Sequence, residues 1–490
     1  MLKASPPKPD EPKAAGKTDT IVTDMCILGG GPAGIALAAS AASCGHKVVL
    51  VEKHRLGGTS LWYGTVPSKA LAASAETAQA FRGAAQFGIG AFEPAVDWAQ
   101  MAARTRELVA GLAPNASVER LTGLGVRVLT GPGRFIDPRI LTAGETRIET
   151  RRYVIATGST PALPDLKGLD DVAYLTTDTI FENRVPIDHL IVIGAGAAGC
   201  ELSQSYRRLG ARVTLIDQSV LLGRFDPELA AVVRAKLLAE GVVVHENARV
   251  EAVGGGAGRV RLEVLIGGAR SRIEGSHLLI ACGRRPTVSD IGLEAAKVAV
   301  TADGVKVDAR LRTSNRRIFA MGDATGHPHN VQRAEYHARL LVSSLVLGRS
   351  AKVEPHLVPA AVYTDPELAV TGLSEAEARA AHGRVEVHRF PMRENVRALT
   401  ERAPAGHIKV TTLRNGRILG VGIAARSAGE LIQIWSLAIS KGQTLADMAG
   451  WIAPHPTLGE LNRKAAVHRY AAIAGHAAGR AWGRLLARLG

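Results

Sequence analysis

The 490-residue chain is 46% hydrophobic, with 53 glycines, only 4% aromatic residues and a formal net charge of +15. That length and apolar content predict a globular protein of roughly two to four domains, while the sparse aromatics and scattered basic residues exclude a base-stacking nucleic-acid surface, so no nucleic-acid partner is expected. The four cysteines, Cys26, Cys44, Cys200 and Cys282, show no CxxC or metal-ligand spacing, so no metal site is expected and a reducing, cytoplasmic setting fits.

No stretch approaches the unbroken apolar run that a membrane span needs. Residues 1–21, rich in Lys and Pro without an apolar core, read as a disordered tail and not as a secretory signal. From Ile21 the text becomes strand, glycine turn, Ala-rich helix and strand. Gly29, Gly31 and Gly34 spell GxGxxG straight after the first strand, and Glu52 closes the second where a ribose carboxylate belongs, followed by Lys53. Glycines there let backbone approach a pyrophosphate, and the helix N-terminus offers unpaired N–H groups.

Next comes LGGTSLWYGTVPSKAL, Leu56 to Leu71. It resembles the redox-active segment of the pyridine nucleotide-disulfide oxidoreductases, the flavoenzyme family of lipoamide dehydrogenase, glutathione reductase and mercuric reductase, whose pattern is GGTCxNxGCxPSK. Gly57, Gly58, Thr59, Gly64, Pro67, Ser68 and Lys69 fall in register, but Ser60 and Thr65 occupy the two cysteine positions. A dithiol stores two electrons as a breakable S–S bond, and hydroxyl oxygens cannot. The resemblance therefore implies a flavoprotein that takes hydride from a nicotinamide and passes electrons straight from flavin to an acceptor. The GTVPSK ending also resembles the soluble pyridine nucleotide transhydrogenases, which keep the first cysteine and lack the histidine described below; this chain does the reverse on both counts.

A polar helical stretch from Ala72 to about Leu124 and strands over Val126 to Ile148 lead to Ala156-Thr157-Gly158-Ser159, similar to the family's ATGS turn beside the nucleotide. From His189 the first unit is repeated: Gly194, Gly196 and Gly199 form a second GxGxxG, and Asp217 ends the next strand. Two such units imply two nucleotides facing each other, and the family implies FAD and a nicotinamide. Asp217 suits a free ribose 2′-OH and repels a 2′-phosphate, which favours NAD(H) over NADP(H), although Arg212 and Arg224 stand near enough in sequence to weaken that reading. By resemblance, Glu201 lies near the nicotinamide and pairs with Lys69 close to flavin N5, where a cation stabilises negative charge on reduced flavin.

Val242 to Ile280 reads as strands around a GGGAG hairpin turn at 254–258. Gly283 lies in ACGRRPTV, which resembles the exit from the nicotinamide domain, and Gly322-Asp323 matches the aspartate that by resemblance binds the flavin ribityl chain. From about Ala351 an antiparallel layer with a helix over Ala428 to Lys441 resembles the family's dimerisation domain. Its closing HPTLGE carries His455 and Glu460, in register with an acid/base histidine and its orienting glutamate; the family implies that a homodimer brings them to the partner subunit's flavin. Two readings stand for His455: protonation of an acceptor such as a quinone oxygen, or packing at the interface near Pro456.

The expected fold is α/β: an FAD-binding domain over 22–163 and 287–352, an NAD(P)-binding domain over 164–286, both Rossmann-like, and an α+β dimerisation domain over 353–471. In the tail, 472–490, Trp482, Leu485, Leu486 and Leu489 share one helical face and Arg480, Arg484 and Arg488 the other. That pattern suits either a membrane-surface helix, making a cytoplasmic enzyme peripheral to the membrane, or a helix docked on its own protein. Four functions follow: an NAD(P)H oxidoreductase with a small-molecule, quinone-like acceptor; a soluble transhydrogenase; a lipoamide dehydrogenase or mercuric reductase relative by fold only; and a non-catalytic FAD-binding scaffold. Trp62 and Tyr63 suit either flavin-side packing or a wall for a planar acceptor.

Overall fold

The computed structural model describes residues 19–256, 258–474 and 477–488. Most of the expected N-terminal tail, residues 1–18, lies outside these. The chain is ordered earlier than expected, because Thr20–Thr23 already forms a strand. This strand is not the first strand of the fingerprint unit: it pairs in parallel with Thr146–Thr150 in a separate four-stranded sheet. Beyond Asp24 the apolar run Met25–Leu28, buried at every position, is the true fingerprint strand.

The first unit is a five-stranded parallel sheet in the order Ile318–Ala320, Tyr153–Ile155, Met25–Leu28, Val48–Glu52, Val126–Thr130. The strands inside this sheet are apolar almost throughout and buried, as parallel strands between helical layers must be, while the edge strand Val126–Thr130 admits Arg127 and Thr130 at exposed positions. The second unit repeats the plan: Leu175–Thr176, His277–Ile280, His189–Ile193, Arg212–Ile216 and Val243–His245 run parallel in that order. Because Ile318–Ala320 joins the first sheet after the second unit is complete, the first unit is split in sequence. The chain crosses between units at Ser159–Pro161 and Arg284–Pro286, which pair with each other. Strands Ala248–Gly256 and Arg259–Ile266 pair antiparallel as the expected hairpin requires, with Gly254–Gly256 belonging to the first strand; Ala257 lies outside the described residues.

The third unit is a five-stranded antiparallel sheet in the order Ala360–Val362, Glu367–Gly372, Ile418–Ala425, His407–Thr412, Glu386–Pro391. Helices cover it, and Trp435, fully buried, donates its indole N–H to Asn462 at 2.8 Å. The helix expected over Ala428 to Lys441 is two, Ala428–Leu431 and Gln433–Ser440, separated at Ile432.

Charged side chains fasten the third unit to the second. Buried Lys409 contacts Asp226 at 2.7 Å, Glu375 at 2.8 Å and Glu228 at 2.9 Å. Buried Arg208 reaches Glu240 and Asp365, each at 2.7 Å. The Gln204 side-chain amide pairs with the Asp365 backbone in both directions, at 2.8 and 2.7 Å. Hydrogen bonding from Arg389, outweighing partial burial and joined by Lys409, holds the Glu228 carboxyl down at about 2. A depressed carboxyl contributes stability above its unfolded value and loses it as pH falls through the folded one. Lys409→Met leaves Asp226 without its cation while Glu228 keeps Arg389 and Glu375 keeps Arg379, so unfolding free energy is expected to drop by about 3 kcal/mol, the low end for a broken buried pair. Denaturant titrations from neutrality down to pH about 2 check this: acid loss below the ordinary carboxyl value of 4.5 should be shallower in the variant.

Candidate active site

The two glycine turns are built the same way. Gly29 and Gly194 adopt φ of +116° and +109°, and a Cβ on either would strike Ala156 O at 2.2 Å or Ala281 O at 2.4 Å. A Cβ on Gly34 would lie 2.0 Å from Gly29 O, and one on Gly199 1.8 Å from Gly194 O, so these glycines let helix sit on strand. The middle glycines differ, because nothing lies within 4 Å of a Cβ on Gly31 or Gly196. Each is the N-cap of its helix, Pro32–Ser43 or Ala197–Arg208, without a side-chain cap, which leaves helix N–H groups free for an anion.

The strand-end acids brace these turns. Glu52 accepts from Gly30 N at 2.7 Å and His54 N at 2.8 Å. Asp217 accepts from Ala195 N at 2.6 Å and from Ser219 N and Oγ at 2.8 Å. The two arginines that blurred Asp217 in the sequence stand elsewhere. Arg212 begins the strand that Asp217 follows and pairs with Asp188 at 2.7 Å, while Arg224 reaches His327 in the first unit at 3.3 Å.

A cavity of about 1060 Å³ opens between the units. Gly29, Gly31, Gly34, Glu52 and Lys53 line it from the first fingerprint. Thr157, Gly158, Gly283, Gly322 and Asp323 line it at the crossing between units. Gly58, Thr59, Ser60, Thr65 and Lys69 line it from the segment in between. That segment is pinned by Gly57 N donating to Gly30 O at 2.8 Å, and a Cβ on Gly58 would lie 2.9 Å from Gly31 Cα. Its helices Gly58–Trp62 and Thr65–Gly83 carry Ser60 and Thr65 to the cavity. Gly194, Gly196, Gly199 and Asp217 are not brought to the same wall; from that helix Ala197, Ala198 and Glu201 line it.

Helix Thr65–Gly83 packs on Ala197–Arg208, which sets Lys69 Nζ 2.5 Å from Glu201 Oε2. Across the cavity, Asp323 accepts from Ser159 Oγ at 2.6 Å; Ser159 accepts from Arg284 Nε at 2.8 Å, and Arg284 pairs with Asp178 at 2.7 Å. Burial pushes the Asp323 carboxyl up, against the Ser159 hydrogen bond and the Arg284 charge. Thr157 Oγ1 is buried without a hydrogen-bond partner. Trp62 and Tyr63 both line the cavity. The Trp62 ring is held by its N–H on Leu56 O at 2.8 Å and by Arg55, 5.0 Å from its centroid.

His455 Nδ1 and Glu460 Oε2 are 2.9 Å apart, with the histidine side chain 61% exposed and outside this cavity. Burial pushes the Glu460 carboxyl up, but the hydrogen bond and charge of His455 win and hold it low. Several lining groups escaped sequence reasoning. Tyr363, Asp178 and Phe181 approach from distant segments, and no local pattern marks them. His329 carries a buried, unpartnered Nε2, and burial with the nearby charges of His327, Arg284 and Arg333 pulls its ring down to about 4. The spacing His327-Pro328-His329 was the available signal.

A cavity lined by the first glycine turn, its uncapped helix end, an orphaned hydroxyl and a lysine–carboxylate pair, with a second glycine turn of the same build on the neighbouring unit, fits a flavin and a nicotinamide, which defines a nicotinamide-dependent flavoprotein. Residues 23–338 match the family described as pyridine nucleotide-disulphide oxidoreductase, and residues 358–466 match its dimerisation domain. The chain is 35% identical to a mercuric reductase of Streptomyces lividans, covering 90% of this chain and 95% of that one. It is 37% identical to a dihydrolipoyl dehydrogenase of Thermus scotoductus, covering 91% and 98%. Among solved structures, LpdA from Mycobacterium tuberculosis superposes with a TM-score of 0.83 at 28% identity, covering 91% of this chain and 99% of that one. The HOCl-induced flavoprotein disulfide reductase RclA from Escherichia coli gives 0.79 at 25%, with the same coverage. The chain belongs to the pyridine nucleotide-disulphide oxidoreductases. It is an FAD-dependent oxidoreductase acting on NAD(P)H, with the family's homodimerisation domain.

The glycines separate folding from binding. Gly31→Ala is expected to keep apoprotein stability within about 1 kcal/mol while FAD affinity falls at least about tenfold. Gly34→Ala should destabilise the fold itself by about 3 kcal/mol. Thermal unfolding of apoprotein alongside FAD titration distinguishes them.

Proposed function

We propose that this chain is an NADH-dependent flavoprotein that delivers electrons from FAD directly to a small-molecule, quinone-like acceptor. The observation that carries the reading is that Ser60 and Thr65 face the cavity, while none of the four cysteines lines it among the described residues. FAD, when bound, accepts hydride from the reduced nicotinamide and passes the two electrons on. The protein's part is to bind, orient and supply protons. Uncapped helix ends at Gly31 and Gly196 take the pyrophosphates, and Asp323, held by Ser159, takes a ribityl hydroxyl. Lys69 places positive charge at the reacting edge, with Glu201 fixing it.

Asp217 supports NADH, since a carboxylate braces the second glycine turn while Arg212 is paired with Asp188 and Arg224 is engaged with His327. His455 supports a dimeric site: it is exposed and away from its own cavity yet oriented by Glu460, which suits donation of a proton to an acceptor in the cavity of a partner subunit. The balance is NADH, one proton and a quinone giving NAD⁺ and a quinol. A catalytically retired scaffold is disfavoured by the retained Lys69–Glu201 and His455–Glu460 pairs.

Anaerobic stopped-flow measurement tests this. NADH should reduce the flavin, a quinone should reoxidise it without thiol dependence, and reductive titration should end at two electrons per subunit. A further two-electron store would sink the proposal. His455→Gln is expected to leave reduction by NADH intact and slow quinone turnover by about 10²–10⁴-fold.

For the C-terminal helix Ala477–Leu486, we infer contact with anionic lipid surfaces. Trp482, Leu485 and Leu486 are exposed on one side and Arg484 lies on the other; Leu489 lies outside the described residues. No helix among the described residues is long and apolar enough to cross a membrane. Co-sedimentation with anionic vesicles should fall on deleting residues 472–490, and equal partitioning would remove the lipid reading.

A further inference from the structure

Lys69 is held by more than Glu201. Its ammonium lies 4.0 Å from the centroid of the Tyr363 ring. Tyr363 reaches the pair a second time, because its backbone N–H donates to Glu201 Oε1 at 3.0 Å. Glu201 therefore spends one oxygen on the lysine and the other on the residue whose ring covers the lysine. The three residues come from the three units. Lys69 rides helix Thr65–Gly83, Glu201 rides Ala197–Arg208, and Tyr363 follows strand Ala360–Val362. The Tyr363 backbone is set by that strand's pairing, Val362 with Leu368, and by buried Thr364, which donates to Pro366 O at 2.8 Å.

A carboxylate attracts an ammonium from one direction only. Lys69 sits on a flexible four-carbon stem with a third of its side chain exposed, at 33%, so Glu201 alone leaves the charge free to swing into cavity water. The face of an aromatic ring supplies a second attraction, worth more where water is excluded. Burial, then the Glu367 and Glu201 charges, push the Tyr363 hydroxyl up, so the ring stays neutral at ordinary pH.

We propose that Tyr363 is a positioning residue whose ring holds the Lys69 ammonium against Glu201, so that the C-terminal unit sets the charge presented to bound flavin. This rests on the reading that Lys69 faces FAD. Any substitution except proline keeps the backbone bond to Glu201, so the ring can be tested alone. The holoenzyme is compared as wild type, Tyr363→Phe, Tyr363→Leu, Lys69→Met and the Lys69→Met/Tyr363→Leu double variant. The readouts are the flavin midpoint potential and the rate of anaerobic reduction by NADH.

Tyr363→Phe keeps the ring and should stay within about twofold of wild type, while Tyr363→Leu should slow reduction roughly three- to tenfold and lower the potential. With Lys69→Met present, Tyr363→Leu should change the potential no further. A role in packing alone would persist at full size in that background and overturn the proposal. So would wild-type behaviour of Tyr363→Leu, or an equal loss in Tyr363→Phe. Competitive acetylation of Lys69 in apoprotein, read by peptide mass spectrometry, needs no flavin: reactivity should rise several-fold in Tyr363→Leu and not in Tyr363→Phe. Protein that never binds FAD would defeat the functional reading, whereas unchanged Lys69 reactivity defeats the clamp.

Discussion

One ammonium group is touched by all three units of this fold. Lys69 meets Glu201 from the second unit and Tyr363 from the third, and the largely buried Glu201 carboxylate would be uncompensated without it. For these groups to meet, helix Thr65–Gly83 must lie on Ala197–Arg208. The first unit's sheet then resumes at Ile318–Ala320 after the second is finished, so the first unit is built from chain on both sides of the second. The ion clusters around Arg208 and Lys409 keep the third unit against the second, so the ring of Tyr363 arrives at a fixed height over the lysine. The cavity follows from these contacts, being the space that remains between units so joined.

Within that frame the chemistry turns on two atoms. Oxygen stands at Ser60 and Thr65, on helices Gly58–Trp62 and Thr65–Gly83 in the segment that Gly57 and Gly58 brace against the first glycine turn. The bracing is backbone geometry and is indifferent to sulfur, so the scaffold around the missing dithiol survives its loss. A hydroxyl still donates and accepts hydrogen bonds but forms no reversible bond to its neighbour. Charge placement at Lys69 and proton supply at His455 do not depend on sulfur, and both pairs are formed.

What could be read in advance was what backbone physics writes locally. The glycine turns at Gly29 and Gly194 were legible because a positive φ and a carbonyl within 2.4 Å tolerate no side chain, and the strands because burial on both faces demands unbroken apolar runs. The Lys69–Glu201 pair was legible only through resemblance, since 132 residues separate the two. Tyr363, Asp178 and His329 were not, because they reach the cavity through tertiary packing. Arg212 misled for a related reason: five residues before Asp217 in sequence is the opposite end of a strand in space. The strand taken to start at Ile21 divided at Asp24, where a polar residue between apolar runs marks a change of sheet.

Tyr363 sits on the portion of the chain that carries the dimerisation domain, and so an oligomerisation module also supplies an electrostatic neighbour of the redox centre. Recombination that grafts a related C-terminal region onto the two nucleotide-binding units would exchange more than a surface for self-association. It would bring its own side chain over the lysine, and a chimera could assemble faithfully yet run at a different driving force.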